Sequence, residues 1–354
     1  FSIGSGTDET TIRISGLGEN LEASLVLMMD LMKNPKADKV VLDELVKIIL
    51  VGREDARKDP RIIRRALVHY SRHRAYSRYL RVLPSRDVQG LTVDELHNLV
   101  RGLLNHKHTI SYTGPLPLDQ VVAILKRNHP ISGTLTDPPP YLFLKAQVPE
   151  ETEIRYLHKE VAQAQVYLEF GDEDYNEANI PAIQLYNSYF AGGMSGVVFQ
   201  ELREARALAY ATGAGYTPGH RKGDQNLVWG GLGCQADKTP EAVETFIDLM
   251  DNLPVSSQRF EFSQESILNQ YRSSKLGFRE ILGAVRSWER LKVRVDPRRS
   301  RYEKVLNADM NLMLEFHKVH IEGRLKLVSV VGDTSRIDME RLGKIGKLIA
   351  VELD

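Results

Sequence analysis

Histidine is the first residue type to weigh, because two imidazoles on one helical face can hold a metal ion and a carboxylate beside them can act as a general base. The chain has ten histidines. His69 and His73 stand four apart, but the residue before His73 is Arg72, a cation that cannot serve as the base. His317-Lys318-Val319-His320 has three-residue spacing and no Glu inside it. Both pairs read more simply as polar faces of helices, and no metal site is expected within the chain. The single cysteine, Cys234, can form no internal disulfide and belongs to no zinc-binding cluster. No acid pair and no Ser, His and Asp order gives a competing catalytic signature. The loops Gly192-Gly193-Met194-Ser195 and Gly213-Ala214-Gly215-Tyr216-Thr217-Pro218-Gly219 lack both the Gly-x-Gly-x-x-Gly spacing and a closing Lys-Ser/Thr, so neither is a phosphate loop. One cationic stretch remains. From Arg53 to Arg86 there are eleven Lys and Arg against three acids, Glu54, Asp55 and Asp59. Tyr70, Tyr76 and Tyr79 are interleaved as a nucleic-acid surface would require, yet a solvated helix face is the simpler reading.

Composition bounds what these residues can do. In 354 residues, 47 Lys and Arg balance 47 Asp and Glu, which removes the overall pull of a basic chain toward nucleic acid or anionic membrane. At roughly 150 residues per domain the chain holds about two domains, each long enough for its own core. No stretch reaches the roughly 18 apolar residues of a membrane span, so a soluble protein is expected, with cytoplasm and periplasm both left open. Phe1 opens the chain without Met, basic segment or apolar signal core, which suggests a fragment or a processed chain.

The elements that must position any site alternate along the chain. Thr10 to Ser15 alternates in part and stops at Gly16, a strand. Glu19 to Lys33 places Leu21, Leu25, Met28, Met29 and Met32 at helical spacing and closes at Asn34-Pro35. Helices are expected from about Asp38 to Arg57 and from Arg61 to Tyr79, then one with Thr92 as N-cap and Glu95 completing a capping box. A strand at His108 to Tyr112 and a helix after Pro117 follow. The second half repeats this order with a strand at Asn226 to Cys234, a helix capped by Thr239 with Pro240 in its first turn, and a long helix from Ser263 to Ser273. A strand at Leu325 to Val331 and a helix from about Asp338 complete it. Ser195 can cap a helix with an apolar face of Val198, Phe199 and Leu202 and with Arg203 and Arg206 in its last turn.

Two landmarks fix a register between the halves. Asp30-Leu31-Met32 matches Asp248-Leu249-Met250, and Gly114 matches Gly332, an offset of 218 positions in both cases. The expected fold is α+β, two repeated modules, each a mostly antiparallel β-sheet packed with helices. Residues 1–132 form the first module, 133–146 an extended linker containing Pro138-Pro139-Pro140, and 147–354 the second module. On this register about seventy residues of the first module would precede Phe1.

The run Tyr189-Phe190-Ala191-Gly192-Gly193-Met194-Ser195, Phe199-Gln200-Glu201-Leu202-Arg203 and Leu208-Ala209-Tyr210 resembles the pitrilysin/insulinase family of zinc metallopeptidases, which includes mitochondrial processing peptidase and its non-catalytic relatives. Asn34-Pro35 and Val331-Gly332-Asp333 extend the likeness over most of the chain. In that family two such modules make half of a clam-shell, and two halves enclose a chamber in which peptides are cut. The resemblance implies that Arg203 and Tyr210, seven positions apart like the family's Arg and Tyr, bind substrate by donating to a peptide carbonyl or the oxyanion it becomes. The family's H-x-x-E-H is missing, and its third ligand would fall near Val51 or Gly52, neither able to bind metal, with Glu54 a little further on. The chain is therefore expected to be the non-zinc, substrate-binding half of a zinc metalloendopeptidase, inactive alone, with zinc and general base in a partner half on the same polypeptide or another chain. On this reading the basic stretch could equally wall the chamber. The partners implied are a peptide substrate, the zinc-bearing half and a second copy of the chain, with no membrane and no nucleic acid. The alternative is a structural subunit of the same fold that cuts nothing.

Overall fold

The computed structural model describes residues 1–6, 8–131 and 133–352. They fall into two compact units, 1–53 with 83–142, and 54–82 with 143–354. In the first unit, strands β1 (Ser2–Ser5) and β2 (Thr10–Arg13) pair antiparallel, Ser5 opposite Thr10. Helix α1 (Leu21–Lys33) buries Leu25, Met29 and Met32, the i, i+4, i+7 positions of its sequence, and α2 (Lys39–Ala56) adds Leu42. Helix α3 (Pro60–His73) belongs to the other unit. Then come α4 (Ser85–Gln89), α5 (Val93–Gly102) and α6 (Leu118–Asn128). Val88 and Val121 complete this small core, and Glu22 of α1 accepts hydrogen bonds from Arg127 and Asn128 at the end of α6.

The expected strand at His108–Tyr112 does not form. Its residues are exposed or nearly so, and the nearest ladder is a single bridge between His106 and Thr136. Alternation suits a strand only when a neighbour accepts its backbone bonds, and no such neighbour lies alongside. At Thr92 the capping box forms as expected, with the Thr92 hydroxyl accepting from the Glu95 N–H and the Glu95 carboxylate accepting from the Thr92 N–H.

The second unit is built on one six-stranded sheet. Its strands are β3 (Glu153–His158), β4 (Gln163–Asp174), β5 (Ala211–Thr217), β6 (Gln225–Gln235), β7 (Leu327–Gly332) and β8 (Lys347–Ala350). They lie in the order β5-β6-β4-β7-β3-β8. The first three junctions are antiparallel and the last two parallel, so the sheet is mostly antiparallel.

Strand side chains alternate between faces, and here the two faces differ. Ala164, Val166, Leu168 and Phe170 of β4 join the main core. That core continues into α7 (Ile180–Ala191), α8 (Thr239–Asp251) and α9 (Ser257–Ser273). Beyond α10 (Ile281–Arg290), it takes in α11 (Arg298–Leu306), α12 (Met310–His320) and α13 (Met339–Ile345). Gly230 is required on this face, since a Cβ there would meet the Phe246 ring at 2.4 Å. The opposite face carries Tyr167 and Glu169 on β4 and Trp229 on β6, and α3 packs across it through Ile63 and Leu67 against Leu157 and Val331.

The units therefore assign residues 54–82 to the sheet that the sequence register places in the later module. Residues 143–146 of the expected linker also count with that sheet, where Ala146 is buried and its N–H donates to Gln225 Oε1 at 2.7 Å. Two helix starts move as well. Lys238, not Thr239, caps α8, and α9 begins at Ser257, where the Ser256 hydroxyl accepts from the Arg259 N–H.

Candidate functional site

The stretch from Tyr189 to Tyr210 is a chain reversal held by glycine. At Gly192 a Cβ would meet the Ser188 carbonyl oxygen at 2.0 Å, and at Gly196 it would meet the Gly192 nitrogen at 2.7 Å. Gly193 has φ +61°, the left-handed region that glycine enters without steric cost. Ser195 does not cap the following helix. Its hydroxyl turns back to donate to the Gly192 carbonyl at 3.2 Å, within its own turn. The helix that follows is a π-helical turn, Phe199–Ala205, whose wider spiral buries Leu202 beside Val197 and Val198. Its end is tight: the Leu202 carbonyl accepts from both Leu208 and Ala209, and Ala207 sits at φ +49°.

That return delivers Tyr210 to the sheet. Its N–H donates to the Gly233 carbonyl at 2.9 Å, and β5 starts at the next residue. The phenol stays outside, with the residue 75% exposed. The Arg203 side chain is 47% exposed, lies 4.8 Å over the Phe199 ring and stands 3.6 Å from the Glu204 carboxylate. Both sequence-derived site residues thus flank one loop that feeds β5. Strand β5 ends the sheet, and among the described residues no strand pairs with its outer edge.

Beside that edge lies a cavity of ≈ 670 Å3 between α3 and the sheet. Arg64, Arg65, Arg72 and Arg78 line it with Gln165, Tyr167, Trp229 and the edge residues Ala211 to Gly213. Tyr167 and Trp229 lie 5.8 Å apart with their planes 2° from parallel, and the Arg64 guanidinium stands 5.6 Å from the Tyr167 ring. Burial pushes the Tyr167 phenol up to about 12. Below it, Arg72 donates through Nε and Nη2 to Glu169 Oε2, the first bond at 3.0 Å. Burial alone would lower the Arg72 pKa, but the carboxylate beside it raises it instead, while burial pushes the Glu169 carboxyl up against the pull of Arg72. The basic stretch read from sequence is therefore in part a cavity wall. Tyr167, Glu169 and Trp229 escaped the sequence reading, although a charged Glu alternating with apolar residues in Val166 to Phe170 was a signal for a strand with a polar second face.

The histidine pairs sit in ordinary structural roles. His69 Nδ1 accepts from the Arg78 N–H at 3.3 Å, and its ring lies 4.9 Å from that of His73. Burial, then the neighbouring His73, Arg72 and Arg78, drive the His69 pKa down to about 4. His317 donates to the Met250 carbonyl at 2.7 Å, and His320 pairs with Asp172 at 2.6 Å. Among the described residues no three His, Cys, Asp or Glu side chains gather around one point as a metal site requires. Val51, Gly52 and Glu54 lie on α2, where Val51 and Gly52 are exposed. Burial pushes the Cys234 thiol up to about 11, which leaves it inert at neutral pH.

Residues 90–265 match the family model for the peptidase M16 inactive domain. The fold is shared with a peptidase M16 inactive domain from Pseudomonas fluorescens, at 14% identity and TM-score 0.64 over 90% of this chain and 76% of that one. A protease from Helicobacter pylori has 12% identity and TM-score 0.65 over 89% of this chain and 77% of its own. A chain of complex III2 from Candida albicans has 13% identity and TM-score 0.63, covering 94% and 81% respectively. No curated protein sequence matches the chain.

Proposed function

We propose that the chain, whose residues 90–265 match the peptidase M16 inactive domain, is the substrate-binding, non-zinc half of a pitrilysin-type metalloendopeptidase. The observation that carries this reading is the braced reversal from Gly192 to Tyr210, which bears the half-exposed Arg203 side chain and ends at the exposed Tyr210, directly before the edge strand β5. A peptide adding to β5 as a further strand would draw its affinity from backbone hydrogen bonds. The guanidinium and the phenol would then donate to a carbonyl of that peptide and to the oxyanion formed during cleavage. Zinc and the general base come from the other half, a reading supported by the missing H-x-x-E-H and by the lack of any three gathered ligating side chains among the described residues.

A second reading is a subunit that holds shape and cuts nothing. It is favoured by one observation, the engagement of Arg203 with Glu204 and Phe199 within its own turn. One experiment separates the two. In the assembly with the zinc-bearing half, Tyr210→Phe and Arg203→Ala are expected to slow peptide cleavage about 100- to 1000-fold, the usual effect of losing one oxyanion donor, with the melting temperature unchanged. Unchanged cleavage in both variants removes the substrate role. Parallel losses of stability and cleavage assign them to structure.

A further inference from the structure

The cavity beside β5 has a charge that nothing in it balances. Arg64, Arg65 and Arg78 line it, and among the described residues no carboxylate pairs with any of the three, while Glu169 is taken up by Arg72. Arg64 Nε is buried without a hydrogen-bond partner. Three guanidinium groups around one concavity repel each other, and an anion placed among them removes that repulsion and gains fork-like hydrogen bonds. The floor is apolar, made by the parallel rings of Tyr167 and Trp229. Gly231 lies beside it, where a Cβ would stand 3.1 Å from the Tyr167 ring and 3.6 Å from the Arg64 guanidinium.

The cavity reaches Ala211, Thr212 and Gly213, so it opens at the free edge. A strand laid along β5 presents every second side chain on this face of the sheet. We propose that the cavity is a subsite for the acidic side chains of an extended peptide bound along β5, with the carboxylate among the arginines and the methylene stem on the aromatic floor. This rests on the strand-addition reading above and adds to it the class of substrate.

Two labelled eight-residue peptides test it with the full chain, one alternating Glu with Thr and the other Gln with Thr, by fluorescence anisotropy at low salt. The Glu peptide is expected to bind about ten-fold more tightly, in line with a charge pair formed in a partly desolvated site. Arg65 and Arg78 are exposed, so the double variant Arg65→Gln/Arg78→Gln is expected to fold normally and to lose the preference. Arg299→Gln, which removes an exposed charge on α11, is expected to retain it. Equal binding of the two peptides by the unaltered chain overturns the subsite and leaves strand addition standing. A preference undiminished in the double variant also overturns the subsite, and binding of neither peptide overturns both proposals.

Discussion

Glu169 is 1% exposed on a strand, and a charge so placed is tolerable only with a partner that is equally fixed. Arg72 supplies it from α3, 97 residues away in sequence. Removing one member leaves an uncompensated buried ion, so Glu169→Leu is expected to cost about 3–5 kcal/mol in urea unfolding, whereas Arg72→Met combined with Glu169→Leu recovers most of that loss. His69 makes the pH dependence legible at the same place. Its folded pKa of about 4 lies below its ordinary 6.5, so the unfolded chain binds more protons between those values. Stability from this group is then full above about pH 6.5 and is lost as the pH falls toward about 4. A His69→Gln variant should show a shallower loss of urea midpoint across that window. At this scale, Arg203 and Tyr210 stand out in the sequence because a local motif surrounds them. The Arg72–Glu169 pair could not, because its members lie on separate elements and neither is unusual in its own neighbourhood.

Elements were decided by whether their local signals had to be answered from elsewhere. The capping box at Thr92 is satisfied within four residues and formed as its sequence states, so Thr92→Ala is expected to destabilise the first unit by about 1 kcal/mol in thermal unfolding. The reversal after α7 depends on close approach. Gly192→Ala would drive a methyl into the Ser188 carbonyl, and an expected cost of at least about 2 kcal/mol separates it from Gly193→Ala, where the space is open and only the left-handed backbone costs about 1 kcal/mol. Comparing the two melting temperatures checks that difference. Ser195 shows the limit of local signals. A serine before an apolar run reads as an N-cap, but its hydroxyl has the Gly192 carbonyl within reach and the chain continues as a π-helical turn. The segment His108–Tyr112 alternates like a strand and finds no neighbour to pair with.

At the scale of the whole chain, α3 belongs to the sheet although 79 positions separate its end from the start of β3. A fragment of residues 143–354 would leave Leu157, Val331 and Glu169 uncovered, and it is expected to melt well below a fragment of residues 54–354. Far-ultraviolet circular dichroism melts of the two fragments check this, and equal melting temperatures would show that α3 adds nothing. The sequence by itself determined the α+β class, most helices, the strands β2, β6 and β7, and the family resemblance. These follow from periodicity, caps and a contiguous motif, all of which act over a few residues. Tertiary structure alone decided that β3, β4 and β8 join β7 in a mixed sheet, that α3 covers its second face, and that arginines spread along a basic stretch surround one cavity at a free edge. Those outcomes depend on which distant surfaces meet, and that is set by the shape and charge of whole faces, which no single stretch of sequence contains.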